Sequence, residues 1–121
     1  CNRKVEEAYK ADPKCNYIFT DNGYFNLFGL MRDCYNLDGW VMRNSTLPVL
    51  FISGGDDGCR VNDRAFARAV DAMRRVGYRR VSSHLFPRMR HEILNEINSA
   101  EVWKYVLDAI DKSLSWDYHG D

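Results

Sequence analysis

The sequence predicts an α/β chain. Residues 49–53, Val-Leu-Phe-Ile-Ser, form a continuous apolar run that ends in a Gly-Gly-Asp-Asp-Gly turn. An unbroken run of this kind is the pattern of a parallel strand covered on both faces. Residues 62–76 then place apolar side chains at helical spacing, and residues 80–86 return to strand-like composition. Strand, helix, strand and a last helix in that order imply a parallel crossover.

The elements follow from local chemistry. Residues 2–11 are helix formers, and Asp12-Pro13 stops them because the residue before proline is pushed out of the helical region. Residues 15–20 are a short apolar stretch holding Tyr17, Ile18 and Phe19. Thr20 or Asp21 is placed to cap the next helix, expected over residues 24–35. Phe25, Phe28, Leu27, Leu30 and Met31 give that helix a wide apolar arc. Such an arc is expected to be buried on more than one side or to face a lipophilic cavity. A short helical turn is expected over residues 37–44, around Trp40.

Asn44-Ser45-Thr46 reads as a polar joint that divides the chain into residues 1–45 and 46–121. Helix 62–76 is expected to turn Phe66, Ala69, Val70 and Met73 inward, and Gly77 ends it. Asn98 and Glu101 have the spacing of a capping box at the start of the last helix. The expected inner stripe of that helix is Val102, Val106, Leu107, Ile110 and Leu114, with residues 116–121 as a loose tail.

Composition excludes some classes. The 121 residues carry 17 Lys plus Arg and 17 Asp plus Glu, so no basic nucleic-acid surface is expected. The arginine pairs at 74–75 and 79–80, and Arg88 with Arg90, read as a basic helix end and an exposed turn. No apolar run approaches the ~20 residues of a membrane span, so no stable membrane insertion is expected. Cys1, Cys15, Cys34 and Cys59 lack metal-type spacing, and reduced thiols in a cytoplasm are the expectation. Asn44-Ser45-Thr46 is also a formal glycosylation sequon, a triplet common by chance.

The chemistry concentrates at two strand ends. The first strand runs into a turn with Asp56 and Asp57, and the second into a loop with His91. An acid after one strand and a histidine after the next is how two members of a Ser-His-Asp triad are supplied in α/β-hydrolases. With Arg-His-Glu-Ile-Leu-Asn-Glu around the histidine, the chain resembles the C-terminal part of an α/β-hydrolase fold. Within that superfamily it is similar to the lysophospholipase and monoacylglycerol-lipase group, placed in some classifications with S33-type serine aminopeptidases. The resemblance is strongest over residues 47–96 and covers nearly the whole chain.

The resemblance implies roles. His91 would take the proton from the nucleophilic serine and return it to the leaving group. The acid stands three residues after the strand-closing glycine, which selects Asp57 from Gly54 and leaves Asp56 as a turn residue. Relatives often carry proline after the acid, whereas this chain has Gly58, which loosens the turn and keeps Asp56 and Asp57 both open as the acid. Residues 1–45 would be the C-terminal part of a helical cap, and residues 46–121 the C-terminal part of the hydrolase core. Lipid esters would be the substrates, and no cofactor is needed.

The nucleophile elbow, Gly-x-Ser-x-Gly, does not occur in the 121 residues. The chain is therefore expected to be a fragment that binds its missing N-terminal part or associates with itself. The plainer readings are a surface histidine and ordinary turn carboxylates. Glu92, Asn95 and Glu96 are expected to brace the histidine loop, and His84 to be a packed or exposed strand residue. A metal held by Asp56, Asp57 and His91 is chemically possible but matches no ligand motif. The rival functions are a non-catalytic assembly domain and a phosphate-binding domain using residues 53–58.

Overall fold

A computed structural model describes residues 2–117, with backbone alone for the last two. The helices are α1 (Arg3–Ala11), α2 (Asp21–Cys34), α3 (Asp63–Val76) and α4 (Ser99–Asp117). The strands are β1 (Val49–Gly54) and β2 (Val81–Phe86), paired in parallel from Val49↔Val81 to Gly54↔Phe86. Short 3-10 turns lie at Leu37–Gly39, Gly58–Arg60 and Ile93–Asn95.

The two-stranded sheet has a helix on each face. Successive strand residues point to opposite sides. Phe51 meets Phe66 of α3 edge-on, whereas the neighbouring Ile52 packs on the core beside α4. That core is Phe86, Met89, Ile93 and Val102, with Tyr105 and Val106 against it. It lies where the end of β2, the following loop and the first turns of α4 meet. His84 is a packing residue: its ring stacks on Tyr105 and meets the edge of Phe86.

The caps explain the helix limits. Thr20 Oγ1 accepts from the Gly23 N–H at 3.1 Å, so α2 begins at Asp21, a turn earlier than expected. Asn62 Oδ1 accepts from Ala65 N–H at the start of α3. Gly77 ends α3 with φ 119, its N–H bonded to Arg74 O and that of Tyr78 to Met73 O. This Schellman pattern needs the left-handed backbone that glycine adopts freely. At the start of α4, Asn98 O accepts from Glu101 N–H.

Several expectations need correction. The apolar arc of α2 is not buried: Phe25, Phe28, Leu30 and Met31 are all exposed. The helical turn around Trp40 shortens to Leu37–Gly39. Ala72 joins Val70 in the α3 interior, while Phe66, Ala69 and Met73 are half-buried. On α4, Val102 is buried, but Leu107, Ile110 and Leu114 face outward. The sheet takes the stripe through Val102, Tyr105 and Val106 instead. Residues 116 and 117 continue α4 and are no tail, and the rest of that segment, with His119, lies outside the described residues.

The accessible surface is 10006 Å². A compact monomer of 14.1 kDa exposes roughly 6,700 Å². The excess agrees with the uncovered apolar faces of α2 and α4. Among the described residues no helix is long and apolar enough to cross a membrane.

Candidate active site

The parallel register brings Gly54 level with Phe86, so both following loops leave the same end of the sheet. Two backbone hydrogen bonds tie these loops together. Gly55 N–H donates to Phe86 O at 2.8 Å, and Asp56 N–H to Met89 O at 2.9 Å. The contact depends on Gly54, where a Cβ would overlap the carbonyl oxygens of Met89 and Arg90. After β2 the chain reverses in a β-turn with Pro87 second and Arg88, φ 62, third. Met89 N–H closes it on Phe86 O at 3.3 Å.

Asp57 faces His91 across this junction. The imidazole Nδ1 lies 3.2 Å from Oδ1 and 3.1 Å from Oδ2. Oδ1 also accepts from Cys59 N–H at 2.8 Å, and Oδ2 from Ser53 Oγ at 3.2 Å. The Asp57 side chain is 8% exposed and that of His91 64%. Burial pushes the Asp57 carboxyl up, but the bonds from His91, Cys59 and Ser53 and the imidazole charge outweigh it. The carboxyl is thus held below its ordinary value. An ionised Asp57 accepts only, so Nδ1 must donate, and in the neutral ring the lone pair is then on Nε2. A buried anion with an exposed imidazole in this tautomer is equipped for general-base chemistry at Nε2.

The surroundings hold both residues. Met89 and Ile93, two positions either side of His91, are buried in the core. The buried Glu96 accepts from Arg90 N–H through Oε1 at 2.9 Å, which holds its carboxyl below the ordinary range. Asn95 Nδ2 donates to Glu92 Oε2 at 2.7 Å. On the acid side, Arg60 donates to Gly55 O at 2.8 Å and pairs with Asp63. Val61 stands in a γ-turn with φ 68 and ψ −66, closed by Asn62 N–H to Arg60 O at 2.9 Å. This conformation is strained for a β-branched residue and joins the acid's turn to α3.

The structure brings Asp57 to His91 and leaves Asp56 exposed. The proposed phosphate cradle is already occupied by protein: Ser53 donates to Asp57, and the Gly55 and Asp56 amides donate to carbonyls. Sequence reasoning missed Cys59. Its sulfur, an Asp57 oxygen and a His91 nitrogen all lie within 4.8 Å of one another. It also missed α1. A cleft of about 760 Å³ beside His91 is lined by Val5, Glu6 and Tyr9 of α1 and by Arg90, Glu92 and Asn95. Only the apolar positions of α1 could have signalled such a wall.

The family model described as serine aminopeptidase, S33 (Hydrolase_4), matches residues 1–98. No curated protein and no solved structure gives a significant match.

Proposed function

The chain belongs to the S33 serine aminopeptidase family of the α/β-hydrolase superfamily, and from that premise we propose that it carries the acid and base of a serine ester hydrolase. In this reading His91 is the base, Asp57 orients it, and the nucleophilic serine and oxyanion hole lie outside these 121 residues. The carrying observation is the His91 Nδ1 to Asp57 distance of 3.1 Å between two strand-end turns. His91 Nε2 takes the serine proton as the hydroxyl attacks the ester carbonyl, and returns it to the leaving alcohol. Asp57 stays ionised, fixes the tautomer and stabilises the imidazolium. The chemistry requires no cofactor.

Lysophospholipids or monoacylglycerols are the proposed substrates. The exposed apolar arc of α2, with Phe25, Phe28, Leu30 and Met31, supports this. Residues 1–45, read as part of a cap, would set that arc against an acyl chain. The two-stranded sheet and the uncovered stripe of α4 support completion by further strands and helices of the same fold. The missing Gly-x-Ser-x-Gly favours one other reading, an assembly domain that kept the fold without the chemistry.

Hydrolysis of short p-nitrophenyl esters tests the proposal. The 121-residue chain alone should match a buffer control. The same chain within a longer protein that supplies a nucleophile elbow should turn over. Serine-dependent turnover by the 121 residues alone would overturn it, as would inactivity of the longer protein on every ester offered.

A further inference from the structure

We infer that Asp57, Cys59 and His91 form a binding site for a thiolate-seeking divalent cation of the zinc and cadmium class, whose occupancy disables His91 as a base. The binding stands on geometry alone, whereas the consequence for His91 rests on the proposed triad.

Three ligand types meet here: a carboxylate, a thiol and an imidazole, with donor atoms within 4.8 Å of one another. A tetrahedral zinc with bonds of ~2.0–2.3 Å separates its ligand atoms by roughly 3.3–3.5 Å. The Asp57 and His91 atoms already stand 3.1–3.2 Å apart. The sulfur has about an ångström to travel, and the exposed Cys59 side chain is free to rotate inward. Oxygen, nitrogen and sulfur together select zinc or cadmium over magnesium or calcium, which want oxygen alone. The outer support that metal ligands need is present: Ser53 Oγ and Cys59 N–H both hold the carboxylate. The exposed face of His91 gives the ion a way in.

The proton balance defines the effect. Cys59 gives up its thiol proton to water and binds as thiolate. The ion replaces the Nδ1–H of His91, and the imidazole takes a proton on Nε2, so the ring stays neutral. One proton is released per ion. Two anionic ligands and one neutral ligand cancel the charge of the cation, and water fills the fourth position. With Nε2 protonated, His91 has no lone pair to accept a serine proton. The site therefore competes with the Asp57–His91 hydrogen bond, and a metal excess inhibits.

Cadmium chloride titration of the intact 121-residue chain tests the inference without any substrate. We expect one equivalent to give a thiolate-to-metal charge-transfer absorption and to release one proton. Cys59→Ser should abolish that first-equivalent band, leaving the weaker response of Cys1, Cys15 and Cys34. His91→Ala and Asp57→Asn should each weaken binding by about tenfold or more. An unchanged titration in Cys59→Ser would place the ion elsewhere and overturn the inference. Loss in Cys59→Ser with unchanged affinity in both other variants would reduce the site to one thiolate and overturn it too. Whether the chain serves a hydrolase does not enter the measurement, so each reading fails separately.

Discussion

Gly54 ends its strand directly beneath the backbone carbonyl of Met89. A Cβ at position 54 would overlap the carbonyl oxygens of both Met89 and Arg90. The acid's turn and the histidine's loop touch because one of them lacks a side chain. Gly54→Ala should therefore lift the loop and separate Asp57 from His91. We expect a loss of about 1–3 kcal/mol, the usual cost of overpacking. Urea denaturation gives the energy, and the His91 ring resonances report the separation. Unchanged stability with an unchanged His91 signal would refute the contact.

A second prediction concerns acid. The Asp57 and Glu96 carboxyls are both held below their ordinary values. A depressed carboxyl binds its proton less readily folded than unfolded. Its contribution to stability is complete above the unfolded pKa, about 3.9 for Asp and 4.3 for Glu, and is lost as pH falls through the folded value. Asp57→Asn should be less stable than wild type by about 1–2 kcal/mol at neutral pH. Denaturant midpoints taken at decreasing pH should converge below about pH 4. A gap that stays constant into acid would show that the carboxylate form contributes nothing.

The third prediction concerns association. Trp103, Leu107, Ile110 and Leu114 form an exposed apolar ridge on α4, and α2 exposes another apolar arc. At ~25 cal/mol per Å², a few hundred Å² of such surface matches the whole stability of a small domain. The isolated chain should therefore dimerise or aggregate. Sedimentation at rising concentration decides it. A stable monomer at high concentration would show that 121 residues close their own core.

Much of this architecture was legible because its signals are local. The apolar run at 49–53, Asn62 before a periodic segment and Gly77 after it each report on their own neighbourhood. The resemblance pointed to Asp57 but left Asp56 open, and the contact of Asp57 with His91 appears only in the structure. The bonds that bring the two loops together were not legible, since backbone pairing between Gly55 and Phe86 leaves no mark in side-chain type. Burial on α4 misled for a related reason. The helix carries two apolar stripes, and only the sheet decides that Val102 and Tyr105 face inward while Leu107 and Leu114 do not. Cys59 escaped notice because a single cysteine has no spacing to read. Its neighbours in space, Asp57 and His91, meet it through a turn and a 34-residue separation.

The central claim is that Asp57 and His91 act together as orienting acid and base. Its most direct test is kcat for ester hydrolysis by this chain within a longer protein that supplies a nucleophile elbow, with Asp56→Asn as an internal control. His91→Ala and Asp57→Asn should each lower kcat by ~10,000-fold, because loss of the base or of its correct tautomer removes proton transfer. Asp56→Asn should stay within about twofold of wild type, since that side chain sits exposed in the turn. Near-normal kcat in His91→Ala, or a collapse in Asp56→Asn with Asp57→Asn active, would contradict the account.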